Sequence, residues 1–188
     1  MQISRGQSWG PPKRRRIWLI VVASFLVLVL AWLGFCFSTF SRPTLDRPTR
    51  ADAIVVLGQP DVAALAKAQR LIDEGISDQL VLAIPHGATP QCETPPKGVT
   101  VHCFVPDPST TQGDARGIGK LARAHRWSRL VIITWTSHVS RSRMLIARCF
   151  HGHLQMTDYP RHMSLTDWLS EYVYQSGAYV KALALPGC

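Results

Sequence analysis

Polar side chains at the end of a buried strand are the strongest candidates for chemistry in this sequence. Residues 129–150 form an apolar run of strand length, then a polar turn, then a segment with helical spacing. In an open α/β sheet, ligands bind where strands end and helices begin. The candidate ligand-binding or catalytic residues in this segment are Thr134, Thr136, Ser137, His138 and Arg141.

Helical spacing ranks the basic residues of this segment. If the helix begins near Ser137, His138 and Arg141 lie one turn apart on the same face, whereas Arg143 lies about 160° around the helix from Arg141. We therefore expect Arg141 to bind an anion, and Arg143 and Arg148 to pair with carboxylates or to face solvent. His138 has two interpretations, a general acid or base and a helix-start residue satisfied by a neighbouring carbonyl, and the residues alone leave both open.

Three further loops are expected at the same edge of the sheet. The first two follow apolar strands, and the third opens a helix in which Thr111 is the expected N-cap and Asp114 the third helical residue. Their candidate substrate-binding residues are Gly58, His86, Gly87, Thr111 and Arg116. Helix N-termini, hydroxyls, imidazoles and guanidinium groups suit phosphate or another anion. The Walker lysine motif and the Gly-x-Gly-x-x-Gly motif do not occur, and we predict no cofactor.

The N-terminal region predicts a membrane anchor. Residues 17–37 contain no charge and are long enough to cross a hydrocarbon core of about 30 Å as a helix. Basic residues at 5 and 13–16 precede this stretch, and no acidic residue does, so the positive-inside rule places the N-terminus in the cytoplasm and the rest outside the plasma membrane. A cleaved signal peptide usually has a shorter apolar region and a small-x-small site, whereas this one ends in bulky Phe35 and Phe37.

The net charge of +9 does not indicate a nucleic-acid partner. Residues 1–16 carry five of the positive charges, and the remainder has sixteen Lys and Arg against twelve Asp and Glu. The basic tail therefore fits membrane topology and anionic lipid. Residues 38–188 have no basic run with interleaved aromatic residues, so we expect the lipid bilayer, and not DNA or RNA, as a partner.

The cysteines predict two disulfides. Cys36 lies in the apolar stretch, and four cysteines follow it. Cys92 and Cys103 bracket a turn-rich loop that a local bridge would close, which leaves Cys149 and Cys188 as a second pair. A zinc site would require ligands paired at short spacing, which the sequence lacks, so we predict no metal.

The alternation of strands and helices predicts one α/β domain. Apolar runs near 52–58, 79–84, 99–105, 130–134 and 154–157 alternate with helical patterns, the last at about 165–183. The expected fold is a three-layer Rossmann-like sandwich with a mostly parallel sheet, preceded by one transmembrane helix. In the last helix we expect Trp168, Leu169, Tyr172, Val173 and Tyr179 to pack in the core.

The predicted organisation has four parts. A cytoplasmic tail at 1–16 precedes the transmembrane helix at 17–37. A Pro-rich linker at 38–51 then forms a stalk, and the extracytoplasmic domain spans 52–188.

Three segments resemble the YdcF-like family, which includes the SanA/ElyC-type envelope proteins of bacteria. They read ADAIVVLG at 51–58, TTQGDAR at 110–116 and VIITWTSHVSRSRM at 131–144, and the resemblance covers roughly residues 50–160. It implies a Rossmann-like sandwich, often behind an N-terminal anchor, and a role in envelope integrity and peptidoglycan precursor metabolism. Three short segments depart from the family pattern. Gln59 and Pro60 replace glycines, 85–87 replaces a Ser-Gly-Gly-like turn, and Gly113-Asp114 replaces Glu-Asn.

Two classes of function follow from these residues. The first is an envelope enzyme acting on a phosphate-bearing small molecule, such as a lipid-linked precursor. In this interpretation Arg141 binds phosphate, His138 is the acid or base and Asp114 orients His138. The second is a non-catalytic anion-binding or scaffold protein of envelope assembly. The cysteine spacing does not favour a redox or metal protein.

Overall fold

The N-terminal helix is long and apolar enough to cross a membrane. A computed structural model of the chain describes residues 13–84, 90–185 and 187–188. Helix α1 spans Lys13–Cys36 and continues into a π-helical turn at Phe37–Ser41. Its 24 residues give a length of about 36 Å, more than the hydrocarbon core requires. The chain divides into two compact units at Phe37 and Ser38, and the remaining elements belong to the second unit.

A five-stranded parallel sheet forms the centre of the second unit, which confirms the predicted α/β class. The strands are β1 (Ala53–Val56), β2 (Gln79–Ala83), β3 (Thr100–Phe104), β4 (Arg129–Trp135) and β5 (His153–Tyr159). Their order is β3-β2-β1-β4-β5, and every neighbouring pair is parallel. The helices are α2 (Val62–Asp73), α3 (Pro90–Glu93), α4 (Thr111–His125), α5 (Val139–Cys149) and α6 (Leu165–Ala184).

The sheet is buried on both faces, as the unbroken apolar runs predict. All four residues of β1 are buried. Ala53 and Val55 pack into one core with residues of α4 and α5, whereas Ile54 and Val56 pack into a second core with residues of α2. Successive side chains of a strand point to opposite faces, so the continuous apolar run fills both layers.

The strand order fixes where a ligand site is expected. From β1 the chain moves outward to β2 and β3, then crosses to β4 on the other side and continues to β5. The neighbours β1 and β4 therefore flank a topological switch point, and the loops after these two strands diverge. Ligands of open α/β sheets bind in the crevice at such a point.

The start of α4 differs from the prediction. Thr110, and not Thr111, is the N-cap: its backbone is extended and its hydroxyl accepts from the Gly113 N–H. The prediction of Thr111 as the cap is therefore wrong by one residue. Two consecutive threonines offer equivalent hydroxyls to a helix start, and the extended backbone selects the first, which leaves the Thr111 hydroxyl available for other contacts.

The segment 38–51 lies against the domain and is not a free stalk. Asp46 bonds to the Met156 backbone through both its own N–H and its carboxylate, and Thr49 bonds to the Gln155 side chain. Arg143 pairs with Asp46 at 2.8 Å, which confirms the expectation that it binds a carboxylate. The segment therefore covers the outer edge of β5, which would otherwise present unpaired backbone groups.

Helix α6 exposes part of its apolar surface. Tyr172 is buried, as expected, but Leu169 and Val173 are 52% and 65% exposed, so the expectation that these two pack in the core is wrong. They lie on the outer side of a helix whose buried side carries Tyr172, Gln175 and Ala182. Apolar periodicity therefore identified the helix but not which of its apolar residues are buried.

Both predicted disulfides are present. Cys92 of α3 bonds to Cys103 of β3, and Cys149 at the end of α5 bonds to Cys188. Two disulfides favour an extracytoplasmic location for the domain, because such bonds persist in oxidising compartments.

Candidate functional site

A cavity of about 410 Å³ opens at the switch point of the sheet. Its lining includes Gly58 after β1, Thr111 and Asp114 at the start of α4, and Trp135, His138 and Arg141 after β4. The loop after β1, the start of α4 and the turn after β4 therefore meet as the sequence predicts. Gly58 adopts φ +72, a backbone conformation that favours glycine.

Two threonine hydroxyls hold the imidazole of His138. Thr111 Oγ1 lies 3.1 Å from Nε2, and Thr134 Oγ1 lies 3.0 Å from Nδ1. These hydroxyls take the place of the backbone carbonyl considered from the sequence, and Asp114 is not a hydrogen-bond partner of the ring. Both ring nitrogens are therefore engaged, one by α4 and the other by β4.

The surroundings of His138 keep its ring uncharged. The residue is 3% exposed, and its ring stacks on Trp135 with 4.3 Å between centroids. Burial lowers the pKa of His138 well below its usual range, and the positive charges of Arg141 and Arg161 add to this effect. At neutral pH the imidazole is therefore uncharged, with hydrogen on one nitrogen and a hydrogen-bond acceptor at the other.

Arg141 is buried at the cavity without a hydrogen-bonded carboxylate. It donates from Nε to Gln175 Oε1 at 3.0 Å and from Nη1 to Thr111 Oγ1 at 2.9 Å, and its guanidinium carbon lies 5.9 Å from the centre of the Tyr174 ring. Among the residues that the structure describes, these acceptors are all uncharged. Burial lowers the pKa of Arg141, and the nearby carboxyl groups of Glu171 and Asp114 oppose this effect without accepting a hydrogen bond from it. The remaining N–H groups of the guanidinium can therefore bind an anion.

Asp114 is the one carboxyl among the described residues that line the cavity. It is 6% exposed, and burial raises its pKa to about 7, although the nearby Arg141 opposes that change. The carboxyl is therefore close to half protonated at neutral pH. A group of this kind can donate or accept a proton in the cavity.

Two side chains of helix α6 form hydrogen bonds to the turn after β4 and to Arg141. Glu171 Oε1 accepts from Ser137 Oγ at 2.6 Å and from Gln175 Nε2 at 2.7 Å, and Gln175 in turn accepts from Arg141. Thr136 donates to Asp158 Oδ2 at 2.7 Å and so ties the turn after β4 to β5. Ser137 and Thr136, predicted as ligand groups, thus hold the turn in place.

Arg161 adds a second positive charge at the cavity. It pairs with Asp61, the N-cap of α2, at 3.2 Å, and its guanidinium lies 4.5 Å from the centre of the Trp135 ring. The side chain is 43% exposed, so it remains accessible to a ligand.

Some predicted site residues lie away from the cavity, and others are not among the residues that the structure describes. Arg116 is exposed and is not part of the cavity lining. His86 and Gly87 fall outside the described residues.

Sequence reasoning missed four residues of the site: Trp135, Arg161, Glu171 and Gln175. Glu171 and Gln175 are polar residues spaced four apart, which places them on the same face of the helix, and that spacing was a usable signal. Arg161 follows the last strand, so its place at the carboxyl edge could have been inferred. Trp135 carries no local signal for stacking on His138.

The cavity combines several groups that bind anions. Within the described ranges, no group of three or more His, Cys, Asp or Glu side chains is placed to hold a metal ion. The donors that converge here are guanidinium, hydroxyl and helix N-terminal N–H groups, which bind phosphate and carboxylate.

Comparisons with protein-family models, curated proteins and solved structures give no match to this chain. Fold and site together define a Rossmann-like α/β domain with a basic, hydroxyl-lined cavity at its switch point. This domain follows a helix that is able to span a membrane.

Proposed function

We propose that this protein is a membrane-anchored member of the YdcF-like family whose extracytoplasmic domain binds a phosphate-bearing small molecule of the bacterial cell envelope. The observation that carries the proposal is Arg141, a buried guanidinium that lines the cavity and bonds only to neutral acceptors among the described residues. A phosphate would accept bidentate bonds from this guanidinium.

Two further features of the cavity support a phosphate ligand. Arg161 brings a second guanidinium to the opening. The first turn of α4 starts at Thr111, and its backbone N–H groups lie at the positive end of a 15-residue helix. Phosphate groups are stabilised by both kinds of donor.

An apolar groove beside the cavity supports a lipid-linked ligand. A second cavity of about 760 Å³ shares Thr111, Arg141 and Tyr174 with the first and continues along α6 past Leu145 and Val173. A phosphate in the first cavity would leave an attached hydrocarbon chain next to this groove. A precursor of peptidoglycan carried on a lipid has this combination of groups, and an anchored domain would meet it at the bilayer surface.

The orientation belongs to the same proposal. Basic residues precede the uncharged stretch at 17–37, so the N-terminus lies on the cytoplasmic side of the plasma membrane and the domain lies on the other side. The two disulfides agree with this placement.

A non-catalytic role in envelope assembly is the second candidate. The observation that favours it is the burial of His138 with both ring nitrogens bonded to threonines. Such a ring can serve solely to connect α4 with β4. In that case the cavity binds an anion without transforming it.

The test is a ligand panel on the full chain in detergent micelles. Nucleoside diphosphates and a prenyl pyrophosphate are paired with the nucleoside and the prenyl alcohol. Inorganic phosphate and pyrophosphate are paired with a chloride salt at equal ionic strength, and the thermal midpoint is measured for each. We expect at least one phosphate compound to raise the midpoint while its phosphate-free partner does not. Equal effects of both members of every pair would refute phosphate recognition.

A further inference from the structure

We propose that Thr111 is a nucleophile for phosphoryl transfer, activated by His138 and positioned by Arg141. The inference rests on the proposed function for its substrate class, a phosphate ester or anhydride. Its basis is the hydrogen-bond geometry around a single hydroxyl.

The Thr111 hydroxyl has the partners that an activated nucleophile needs. Arg141 Nη1 donates to Oγ1 at 2.9 Å, so this lone pair is used and the hydroxyl hydrogen is left to donate. His138 Nε2 lies 3.1 Å away and accepts it in the tautomer with hydrogen on Nδ1. One lone pair of Oγ1 remains for attack on phosphorus.

His138 has the orientation that a general base needs. In the tautomer with hydrogen on Nδ1, the ring donates to Thr134 Oγ1 at 3.0 Å, and this bond directs Nε2 towards Thr111. A nucleophile, a base and a third group that orients the base form the arrangement shared by hydroxyl-dependent hydrolases. Burial lowers the pKa of His138, so the ring is neutral and one of its nitrogens carries no hydrogen.

The position of Thr111 in the fold suits this role. It is the first residue of α4 and lines both cavities, so Oγ1 lies where the polar cavity meets the apolar groove. Charge that develops on the phosphate oxygens faces Arg141 and the first turn of α4. Asp114 lines the same cavity one turn along the helix.

The reaction balances in two displacements. In the first, Thr111 Oγ1 forms a bond to phosphorus and passes its proton to His138 Nε2, while the bond from phosphorus to the leaving oxygen breaks. The leaving oxygen keeps the electron pair and takes a proton from Asp114. In the second, water attacks phosphorus and gives its proton to Asp114, and Thr111 leaves with the proton from His138.

The test is covalent labelling of the full chain in detergent micelles with an alkyl fluorophosphonate. An activated hydroxyl forms an oxygen–phosphorus bond with this probe and releases fluoride. Peptide mass spectrometry locates the adduct among Ser109, Thr110 and Thr111. We expect it on Thr111, with retention in Thr111→Ser and loss in Thr111→Val.

Two variants test whether Thr111 is labelled because His138 activates its hydroxyl or only because the probe can reach it. Ser109→Ala removes an exposed hydroxyl of the same cavity and should leave labelling unchanged. Thr134→Val removes the group that orients His138 without touching Thr111, and the labelling rate should fall about tenfold or more. Thermal melts establish that each variant is folded.

The outcomes distinguish this inference from the proposed function. A folded wild-type chain that binds phosphate compounds but gives no adduct on Thr111 would overturn the nucleophile and leave phosphate binding intact. Labelling that is unaffected by Thr134→Val would overturn activation by His138. Labelling of Thr111 without any phosphate binding would support the nucleophile and contradict the phosphate ligand.

Discussion

At the scale of residues, two consecutive threonines have different roles. Thr110 caps α4, and Thr111 is thereby free to bond to His138 and Arg141. The sequence predicted that Thr111, His138 and Arg141 share one edge of the sheet, because strand ends and helix starts determine that edge. It did not predict their hydrogen bonds. The residue at which α4 starts decides whether the hydroxyl of Thr110 or that of Thr111 caps the helix, and local sequence patterns do not determine a helix start to one residue.

The raised pKa of Asp114 predicts a pH-dependent effect on stability. Its pKa rises from 3.8 to about 7 on folding, so its contribution to stability is greatest below pH 3.8 and is lost as the pH rises through 7. Asp114→Asn should therefore increase the free energy of unfolding at pH 8, by roughly 4 kcal/mol at most, and much less at pH 4. Denaturant unfolding of the full chain in micelles at both values measures the difference.

Exposed Asp73 supplies the control for this prediction. Asp73→Asn should change stability little at either pH. A gain in Asp114→Asn that is equal at pH 4 and pH 8 would show that the carboxyl does not titrate as proposed.

At the scale of elements, periodicity and strand length predicted the fold well. The five strands and the four main helices lie close to their expected positions, because apolar runs buried on both faces leave few alternatives. The short helix at Pro90–Glu93 and the apolar residues that α6 leaves exposed were not predicted. Both depend on contacts between distant segments, which local patterns do not contain.

Close packing at the start of α4 predicts contrasting effects for two helical glycines. A Cβ on Gly113 would collide with the carbonyl oxygen of Pro108, whereas a Cβ on Gly177 of α6 would meet no atom within 4 Å. Gly113→Ala should lower the free energy of unfolding by about 1–3 kcal/mol. Gly177→Ala should raise it by up to about 1 kcal/mol, because alanine favours a helix.

Thermal and denaturant unfolding of the two variants beside wild type measures this contrast. Similar changes in both would mean that the loop before α4 does not approach the helix as closely as described. The same contact explains why a residue without a side chain stands at position 113.

At the scale of the whole molecule, an apolar helix and a disulfide-containing domain predict an orientation. The disulfides join cysteines 11 and 39 residues apart, so both constrain the unfolded chain, the longer loop more strongly. Alkaline phosphatase fused after Cys188 should be active in bacterial cells, because that enzyme folds only outside the cytoplasm. A green fluorescent reporter at the same place should remain dark.

The basic residues at 13–16 provide the control for the fusion experiment. Replacing Lys13, Arg14, Arg15 and Arg16 by Gln should reduce phosphatase activity in a fusion of equal abundance, because these charges retain the N-terminus inside. An active cytoplasmic reporter at the C-terminus of the unaltered chain would contradict the proposed topology.

The affinity for a phosphate ligand, with and without Arg141, tests the central claim most directly. Calorimetric titration of a prenyl pyrophosphate into the full chain in micelles should give a Kd that rises about 10- to 100-fold in Arg141→Gln, the loss of a charge-assisted hydrogen bond. Arg143→Gln alters a guanidinium of the same helix that pairs with Asp46 outside the cavity, and it should bind as wild type does. Equal affinities in all three chains would contradict a phosphate site at Arg141.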